Sequence, residues 1–184
     1  MYRRVTVADF GVAALTTADA KAHLRVDTAH EDALIADYVD SATRYVEKVT
    51  GTALRPQTWT LTLDRFLGRR QPLPGGRVTA VSAVKYYDVS EALVTMPPAD
   101  YVVSLGLTPA IVEAPNGWPG TQVREGAVQI TYTVDGSDEP GLVEAVKLLV
   151  THRYENRGVV SDRAQMVPVG FDDYIQMHAA AWYG

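Results

Sequence analysis

The stretch from Glu139 to Gly158, EPGLVEAVKLLVTHRYENRG, carries the clearest helical pattern in the chain. Pro140 suits a first helical turn, because the N–H that proline lacks would be unbonded there. Apolar residues recur at three- and four-residue spacing, which places them on one helix face: Leu142, Val143, Val146, Leu149, Val150 and Tyr154. Gly158 can end the helix. The sequence therefore predicts a long helix over about 140–157 that closes a folded domain.

A second long helix is predicted over about 29–50. Thr28 and Glu31 have the spacing of a capping box, and Gly51 supplies a stop signal. Its apolar stripe consists of Leu34, Ile35, Tyr38, Val39, Ala42, Val46 and Val49. On the other face Arg44 follows Asp40 by four residues, which favours a solvated ion pair.

A shorter helix is predicted from Leu15 to Leu24. Thr16 and Asp19 resemble a capping box, with Asp in place of the preferred Glu or Gln. Residues 1–14 are predicted to be a short leader or an extended arm.

The residue pattern between the two long helices is typical of β structure. From Gln57 to Leu63 tryptophan and leucine alternate strictly with threonine, which is typical of a half-buried strand. Further strands are predicted over 78–87, 93–96, 101–105, 110–113 and 122–134, with loops over 68–76 and 114–120. Because the strands cluster between helices, the sequence predicts an α+β fold. Its core is the pair of long helices, with an inserted antiparallel β block at about 57–134.

The length of 184 residues predicts one domain, residues 1–158 with the β insertion, followed by a tail, 159–184. Residues 171–183 could form a short aromatic helix. Such a helix either folds back on its own core or docks on a partner. The candidate partner-binding residues are Phe171, Tyr174, Ile175, Trp182 and Tyr183.

Charge and composition narrow the function classes. The formal net charge of −5 disfavours a protein that binds nucleic acid by neutralising phosphates. The chain has no cysteine, so disulfides and thiol chemistry are excluded. No signal peptide is predicted, and no apolar run approaches the roughly 20 residues of a membrane span. These features predict a soluble protein that is made inside a cell and at first kept there.

No set of residues predicts catalysis. The four histidines lack metal-binding spacing, and no nucleophile elbow, phosphate-binding loop or dinucleotide motif occurs. Neither a metal nor a cofactor is therefore predicted, and the chain is not expected to be an enzyme. Arg69 and Arg70 form a modest basic spot in one loop, and Trp118 lies in another. Because tyrosine and tryptophan are enriched at interfaces, these two loops, at 67–76 and 114–120, are candidate contact or channel surfaces.

The order of the segments resembles the head–tail connector proteins of tailed bacteriophages, also called adaptor or head-completion proteins, and their version in phage-like gene transfer agents. The resemblance begins with LTTADAKAHLRVDTAHEDALIADYVDSATRYVEKVTGTAL at 15–54 and QTWTLTLDRF at 57–66. It continues with a V-x-x-V-x-x-V-x-Y strand at 78–86, PPADYVV at 97–103, GWP at 117–119, GAVQITYTVDG at 126–136 and DEPGLVEAVKLLVTHRYENR at 138–157.

This resemblance implies a structural virion protein. Family members are similar to small helical domains with a β insertion that form a twelve-subunit ring under the portal. The implied partners are the portal protein, other copies of the chain, and the next connector, stopper or tail protein. DNA would pass through the ring without sequence-specific binding. The implied location is the head–tail interface of a particle that assembles in the bacterial cytoplasm.

A second hypothesis remains open from the residues themselves. The β block with Trp118 could instead serve a monomeric module that binds a ligand or another protein. Such a module would be a stable monomer without affinity for a portal.

Overall fold

The computed structural model describes residues 3–10, 15–137, 139–157, 168 and 170–178. The chain divides into two compact units. The β unit consists of Met1–Gly11 and Arg55–Gly136, and the helical unit consists of Val12–Leu54 and Ser137–Gly184. Four helices and antiparallel sheets make up the described chain, so the predicted α+β class is confirmed.

The helical unit is built around two long helices. Its elements are α1 (Thr17–Leu24), α2 (Asp32–Thr50), α3 (Pro140–Glu155) and α4 (Phe171–His178). Residues of all four helices meet in one apolar cluster, whose members include Ile35, Leu142, Leu149, Phe171 and Ile175. Burial of these side chains is the main force that holds the short helices to the long ones, since isolated eight-residue helices are unstable in water.

The N-terminus of α1 confirms its predicted cap. The backbone N–H of Asp19 donates to the Thr16 hydroxyl at 3.1 Å, and that hydroxyl donates to the Asp19 carboxylate at 2.6 Å. The capping box predicted for α2 was wrong. The helix begins at Asp32, and Glu31 occupies the N-cap position without a side-chain cap bond. Its carboxylate is instead bound by Tyr154 and Arg157, at and just beyond the last turn of α3.

The buried face of α2 also differs in one respect from the predicted stripe. Val49 is 49% exposed, whereas Thr43 and Thr50 are buried. Each threonine hydroxyl donates to the carbonyl four residues earlier, at 2.7 and 2.8 Å, so no polar group is left unbonded. The stop at Gly51 is confirmed by its left-handed backbone. Helix α3 ends at Glu155, before Gly158, which lies outside the described residues.

The described residues of the β unit form eight strands in two antiparallel sheets. They are β1 (Arg3–Phe10), β2 (Gln57–Leu63), β3 (Arg70–Leu73), β4 (Val78–Tyr87), β5 (Leu93–Thr95), β6 (Val102–Ser104), β7 (Ala110–Glu113) and β8 (Val128–Val134). The larger sheet has the order β1-β2-β8-β4-β5, and the smaller has the order β3-β7-β6. The predicted strands within 57–134 are thus found, although several are shorter than expected.

Two strands were not predicted as such. The N-terminal segment forms β1 and pairs with the whole length of β2, so the β unit includes residues that precede the helices. Strand β3 lies inside the segment predicted to be a loop. It contains Pro72, yet it pairs with β7 and buries Gln71 and Leu73. Both strands depend on partners that are distant in sequence, which local patterns do not reveal.

The alternation in β2 reflects a two-faced sheet. Trp59, Leu61 and Leu63 are buried, whereas the threonines between them are half-buried. In the neighbouring strand Tyr132 lies opposite Trp59, with ring centroids 6.4 Å apart, and its hydroxyl donates to the Pro74 carbonyl at 2.9 Å. The tyrosine therefore joins the sheet core to the turn that follows β3.

Gly75, beside this turn, is required for a steric reason. Its φ is +112°, and a Cβ there would lie 2.8 Å from the Trp59 ring and 3.0 Å from Val134. Gly68 is a natural comparison, since its φ is +64° but a Cβ would meet nothing within 4 Å. Backbone strain thus applies at both positions, whereas steric overlap applies only at Gly75.

We expect Gly75→Ala to destabilise the β unit by about 2–5 kcal/mol, because strain and overpacking add. Gly68→Ala should cost only about 1 kcal/mol, from the left-handed backbone alone. Urea unfolding followed by near-UV circular dichroism would measure both changes. Equal losses of stability in the two variants would contradict the close approach of Gly75 to Trp59.

Helix α4 provides a second test of the packing. Phe171 and Ile175 are 2% and 1% exposed, and the Phe171 ring centroid lies 6.1 Å from that of Tyr45. We expect Phe171→Ala to destabilise the helical unit by about 3–5 kcal/mol. Met177→Ala serves as the control, since Met177 is 74% exposed on the same helix. A Phe171→Ala protein with wild-type thermal stability would show that α4 does not pack on the unit in solution.

Candidate partner-binding site

The predicted tail residues fall into two groups. Phe171 and Ile175 lie on the buried face of α4 and belong to the helical core. The side chain of Tyr174 and all of Trp182 and Tyr183 lie outside the described residues. Phe171 and Ile175 thus fasten α4 to its own unit, and docking of the tail on a partner stays a prediction.

The structure brings the three predicted loop residues together in the β unit. The Trp118 indole N–H donates to the backbone carbonyl of Arg69 at 3.0 Å. The Arg69 guanidinium in turn donates to the carbonyl of Pro115 at 2.8 Å. The segment before β3 and the turn at 114–120 are therefore joined by two hydrogen bonds, and each segment donates one of them.

Glu113 is the counter-charge for both arginines. Its two carboxylate oxygens each lie 3.0 Å from a guanidinium nitrogen, one of Arg69 and one of Arg70. Both arginine side chains are more than 60% exposed, so each pair contributes at most about 1 kcal/mol to stability. Two cations share one anion here. The surface keeps one net positive charge, which is little for binding nucleic acid.

An aromatic stack supports this surface. Phe66 lies parallel to Trp118, with ring centroids 4.1 Å apart and planes 8° from parallel, and its centroid is 6.1 Å from that of Tyr86. We call Phe66, Tyr86, Trp118 and Arg69 the aromatic corner. Sequence reasoning missed Phe66 and Glu113, because no spacing rule connects residues that belong to different strands and turns.

The aromatic corner consists of three aromatic rings and a guanidinium group, which suit contacts with a partner. It holds no nucleophile paired with a base, and the residues that the structure describes contain no group of three metal-binding side chains. Within the same residues no helix is long and apolar enough to cross a membrane.

The ion pair between Asp40 and Arg44 is formed as predicted, at 2.7 Å, and it lies on an exposed face of α2.

A strongly coupled cluster of ionisable groups lies among the described residues of the helical unit. The Tyr154 hydroxyl donates to one carboxylate oxygen of Glu31 at 2.5 Å, and the Arg157 guanidinium donates to the other at 2.6 Å. The guanidinium also lies over the Tyr154 ring, 4.1 Å from its centroid. We call these three residues the clasp. It ties the start of α2 to the end of α3.

The clasp shifts the pKa values of its members. The hydrogen bond from Arg157, and then that from Tyr154, lowers the pKa of Glu31 from its ordinary 4.5 to about 2. The pKa of Tyr154 is raised, chiefly because its hydroxyl donates to the Glu31 carboxylate. The same carboxylate raises the pKa of Arg157.

We expect the clasp to make the helical unit sensitive to acid. Because the pKa of Glu31 is lowered on folding, its contribution is complete above about pH 4.5 and is lost as the pH falls towards about 2. The melting temperature of the wild type should exceed that of Glu31→Gln at pH 7, and the two should converge in that window. Thermal unfolding followed by circular dichroism would measure this.

Glu155→Gln is the matched control for the clasp. It removes an exposed carboxylate at the same end of α3 that takes no part in the clasp. Its melting temperature should follow that of the wild type at each pH. A difference between wild type and Glu31→Gln that stays constant from neutral pH to pH 2 would rule out the ionised Glu31 as its source.

Comparison with known proteins matches part of the chain to a protein family by sequence and nearly the whole chain to solved structures by fold. Residues 15–89 match the sequence model of the family described as phage gp6-like head-tail connector protein. This match covers α1, α2 and the strands from β2 to β4. No curated protein matches the chain in sequence.

Solved structures of gene transfer agent (GTA) particles contain chains with the same fold. One, from the neck of an empty GTA particle computed with C6 symmetry, has 24% identity and a TM-score of 0.75, and the match covers 98% of this chain and 97% of that one. Another, from the virion of a native GTA particle, has 23% identity, a TM-score of 0.73 and the same coverage. A third, from the neck of a native GTA particle computed with C12 symmetry, has 24% identity and a TM-score of 0.66, over 97% of both chains.

These findings confirm the resemblance read from the sequence. The family match lies on the part that carries the first helical and strand motifs, and the fold match extends over nearly the whole chain. The chain is thus similar to phage head–tail connector proteins over residues 15–89, and it has the fold of chains from GTA necks.

Proposed function

We propose that the chain is a structural subunit of a ring that joins the portal to the tail of a phage or gene transfer agent particle. The observation that carries this proposal is the fold match over 98% of the chain to a subunit from a GTA neck. The connector-family match over residues 15–89 is independent support, because it rests on sequence. The subunit acts by contact, and we assign it no catalytic role.

The ring would consist of twelve copies. A neck that is described with C12 symmetry contains a chain of this fold, which supports that number. Its neighbours would be the portal protein on one side and the next connector, stopper or tail protein on the other. Lateral contacts would use α2, α3 and the edges of the sheets. Strands β1 and β5 are the edges of the larger sheet, and such edges offer unpaired backbone groups to a neighbouring chain.

DNA would pass through this ring without being held. The formal net charge of −5 suits a channel protein, because like charge discourages tight contact with phosphates. The arginines of the aromatic corner do not alter this expectation, since Glu113 neutralises one of their two charges. The ring would lie at the head–tail interface of a particle assembled in the host cytoplasm.

Portal docking is proposed for the part of the tail that does not pack on the core. Phe171 and Ile175 are occupied in the helical unit, so a partner could reach them only if α4 moved away. Tyr174, Trp182 and Tyr183 remain the aromatic candidates. Asp172, Asp173, Gln176 and Met177 form the exposed side of α4, next to them in sequence.

A monomeric binding module is the second candidate function. The observation in its favour is the aromatic corner. Its stacked rings lie at the surface of the β unit and are only partly covered by other described residues. This module would need no ring and no portal. The two functions therefore differ in what a purified portal does to the protein.

Electron microscopy of the purified protein mixed with purified portal would test the proposal. We expect a stacked ring on the narrow end of the portal, because the portal would order lateral contacts that are weak in the free subunit. A correctly folded protein that adds no density at high concentration would favour the monomeric module.

A truncation after His178 would test the docking segment. It removes Trp182 and Tyr183 but keeps Phe171 and Ile175 in the core, which a truncation at Gly158 would not. We expect portal binding to be lost while the melting temperature is unchanged. Val123→Ser, at a 73% exposed apolar position of the β unit, is the control and should bind like the wild type. Full portal binding by the truncated protein would refute the tail assignment.

A further inference from the structure

We propose that a cleft beside the aromatic corner binds a cationic side chain, arginine or lysine, presented by a partner protein. The cleft has a volume of about 310 Å³ and lies wholly within the β unit. Its walls include Tyr86, Met96, Pro97, Asp100, Asn116 and Trp118. The inference goes beyond the ring function and does not depend on it.

The aromatic wall of the cleft is held rigidly. Phe66 stacks on Trp118 at 4.1 Å, and the indole N–H is already bonded to the Arg69 carbonyl. The polar atom of Trp118 is thus used within the protein, and Phe66 covers one face of the indole, so what Trp118 offers a ligand is the remaining ring surface. Tyr86 adds a second ring. Tryptophan and tyrosine faces attract arginine and lysine, because the negative ring face interacts with the cation.

The charge that lines the cleft is negative. Asp100 lies at its edge in an exposed turn, and among the residues that the structure describes its carboxylate has no hydrogen-bond or ion-pair partner. The nearby arginines do not line the cleft. Both are bound to Glu113, and Arg69 also donates to Pro115. A cation placed in the cleft would therefore meet a free carboxylate and aromatic rings.

The size and composition of the cleft fit one long side chain. A volume near 310 Å³ is at the low end for pockets that enclose small ligands. Pro97, which is exposed, supplies apolar surface for the methylene groups of such a side chain, which pack on apolar atoms while the charged end stays polar. Arginine should bind better than lysine, since its planar guanidinium stacks on aromatic faces.

A protein partner is the occupant that the exposed rim favours. Pro97, Asp100 and Asn116 are all exposed, so the cleft opens directly on the surface of the β unit. A side chain that projects from another protein could enter without any rearrangement. The same opening would leave a free small molecule largely in water, with little area to hold it.

The test uses the isolated full-length protein and two small probes. N-acetyl-arginine amide carries the cation, and N-acetyl-citrulline amide has nearly the same shape without the charge. Both would be titrated into the millimolar range and followed by ¹H–¹⁵N NMR, with the Trp118 indole signal assigned by its loss in Trp118→Phe. We expect the arginine probe to shift the signals of Trp118 and Asp100, and the citrulline probe to bind at least about threefold more weakly.

Asp100→Asn is the decisive variant. It keeps the size of an exposed side chain that bonds to no described residue, and it should weaken the arginine probe by about threefold to tenfold. Glu125→Gln is the matched control, because it removes one exposed carboxylate elsewhere in the β unit and should leave binding unchanged.

Three results would overturn the inference. They are equal binding of the two probes, equal binding by Asp100→Asn and the wild type, or no shift at Trp118 and Asp100 over the whole titration. None of these results bears on the ring. The portal experiment can succeed or fail independently, because it does not involve the probes.

Discussion

The central position of β8 is the constraint on which the β unit depends. Strand β8 is the last strand of the unit in sequence, yet it lies between β2 and β4 in the larger sheet. Ile130 pairs with Leu61 on one side and with Val84 on the other, and all three are buried. The sheet can therefore be completed only after residues up to 134 are available. Tyr132, through its bond to Pro74, extends the same dependence to the turn that contains Gly75.

The helical unit sets a different constraint, which bears on the tail. Its core uses Phe171 and Ile175 from α4 together with residues of α2 and α3. A side chain cannot fill this core and a partner's pocket at once. In this conformation α4 is therefore held on its own unit by Phe171 and Ile175. The clasp adds polar contacts at the junction of α2 and α3 outside that core. A docking function for the tail must then rest on residues of α4 other than Phe171 and Ile175, on residues beyond α4, or on release of α4 at an energetic cost.

The sequence predicted those elements in which apolar residues recur with the period of a helix or of a strand. The stripes of α2 and α3 and the alternation in β2 and β8 reflect burial of one face, so they could be read from spacing. Strands β1 and β3 could not, because their pairing with β2 and β7 is what makes them strands. The false capping box has the same origin. Glu31 has the right spacing from Thr28, but Tyr154 and Arg157 bind its carboxylate.

The candidate contact surface was predicted only in part, because it also depends on contacts between residues that are distant in sequence. Arg69, Arg70 and Trp118 could be chosen from residue type, since exposed arginine and tryptophan favour interfaces. Phe66 and Glu113, which fix their positions, were not recognisable, because stacking and ion pairing across separate turns leave no spacing in the sequence. The residues that distant contacts bring together form a surface with no catalytic pair. Contacts between residues that are distant in sequence determine this surface, which is why the sequence motifs predicted the fold better than the surface.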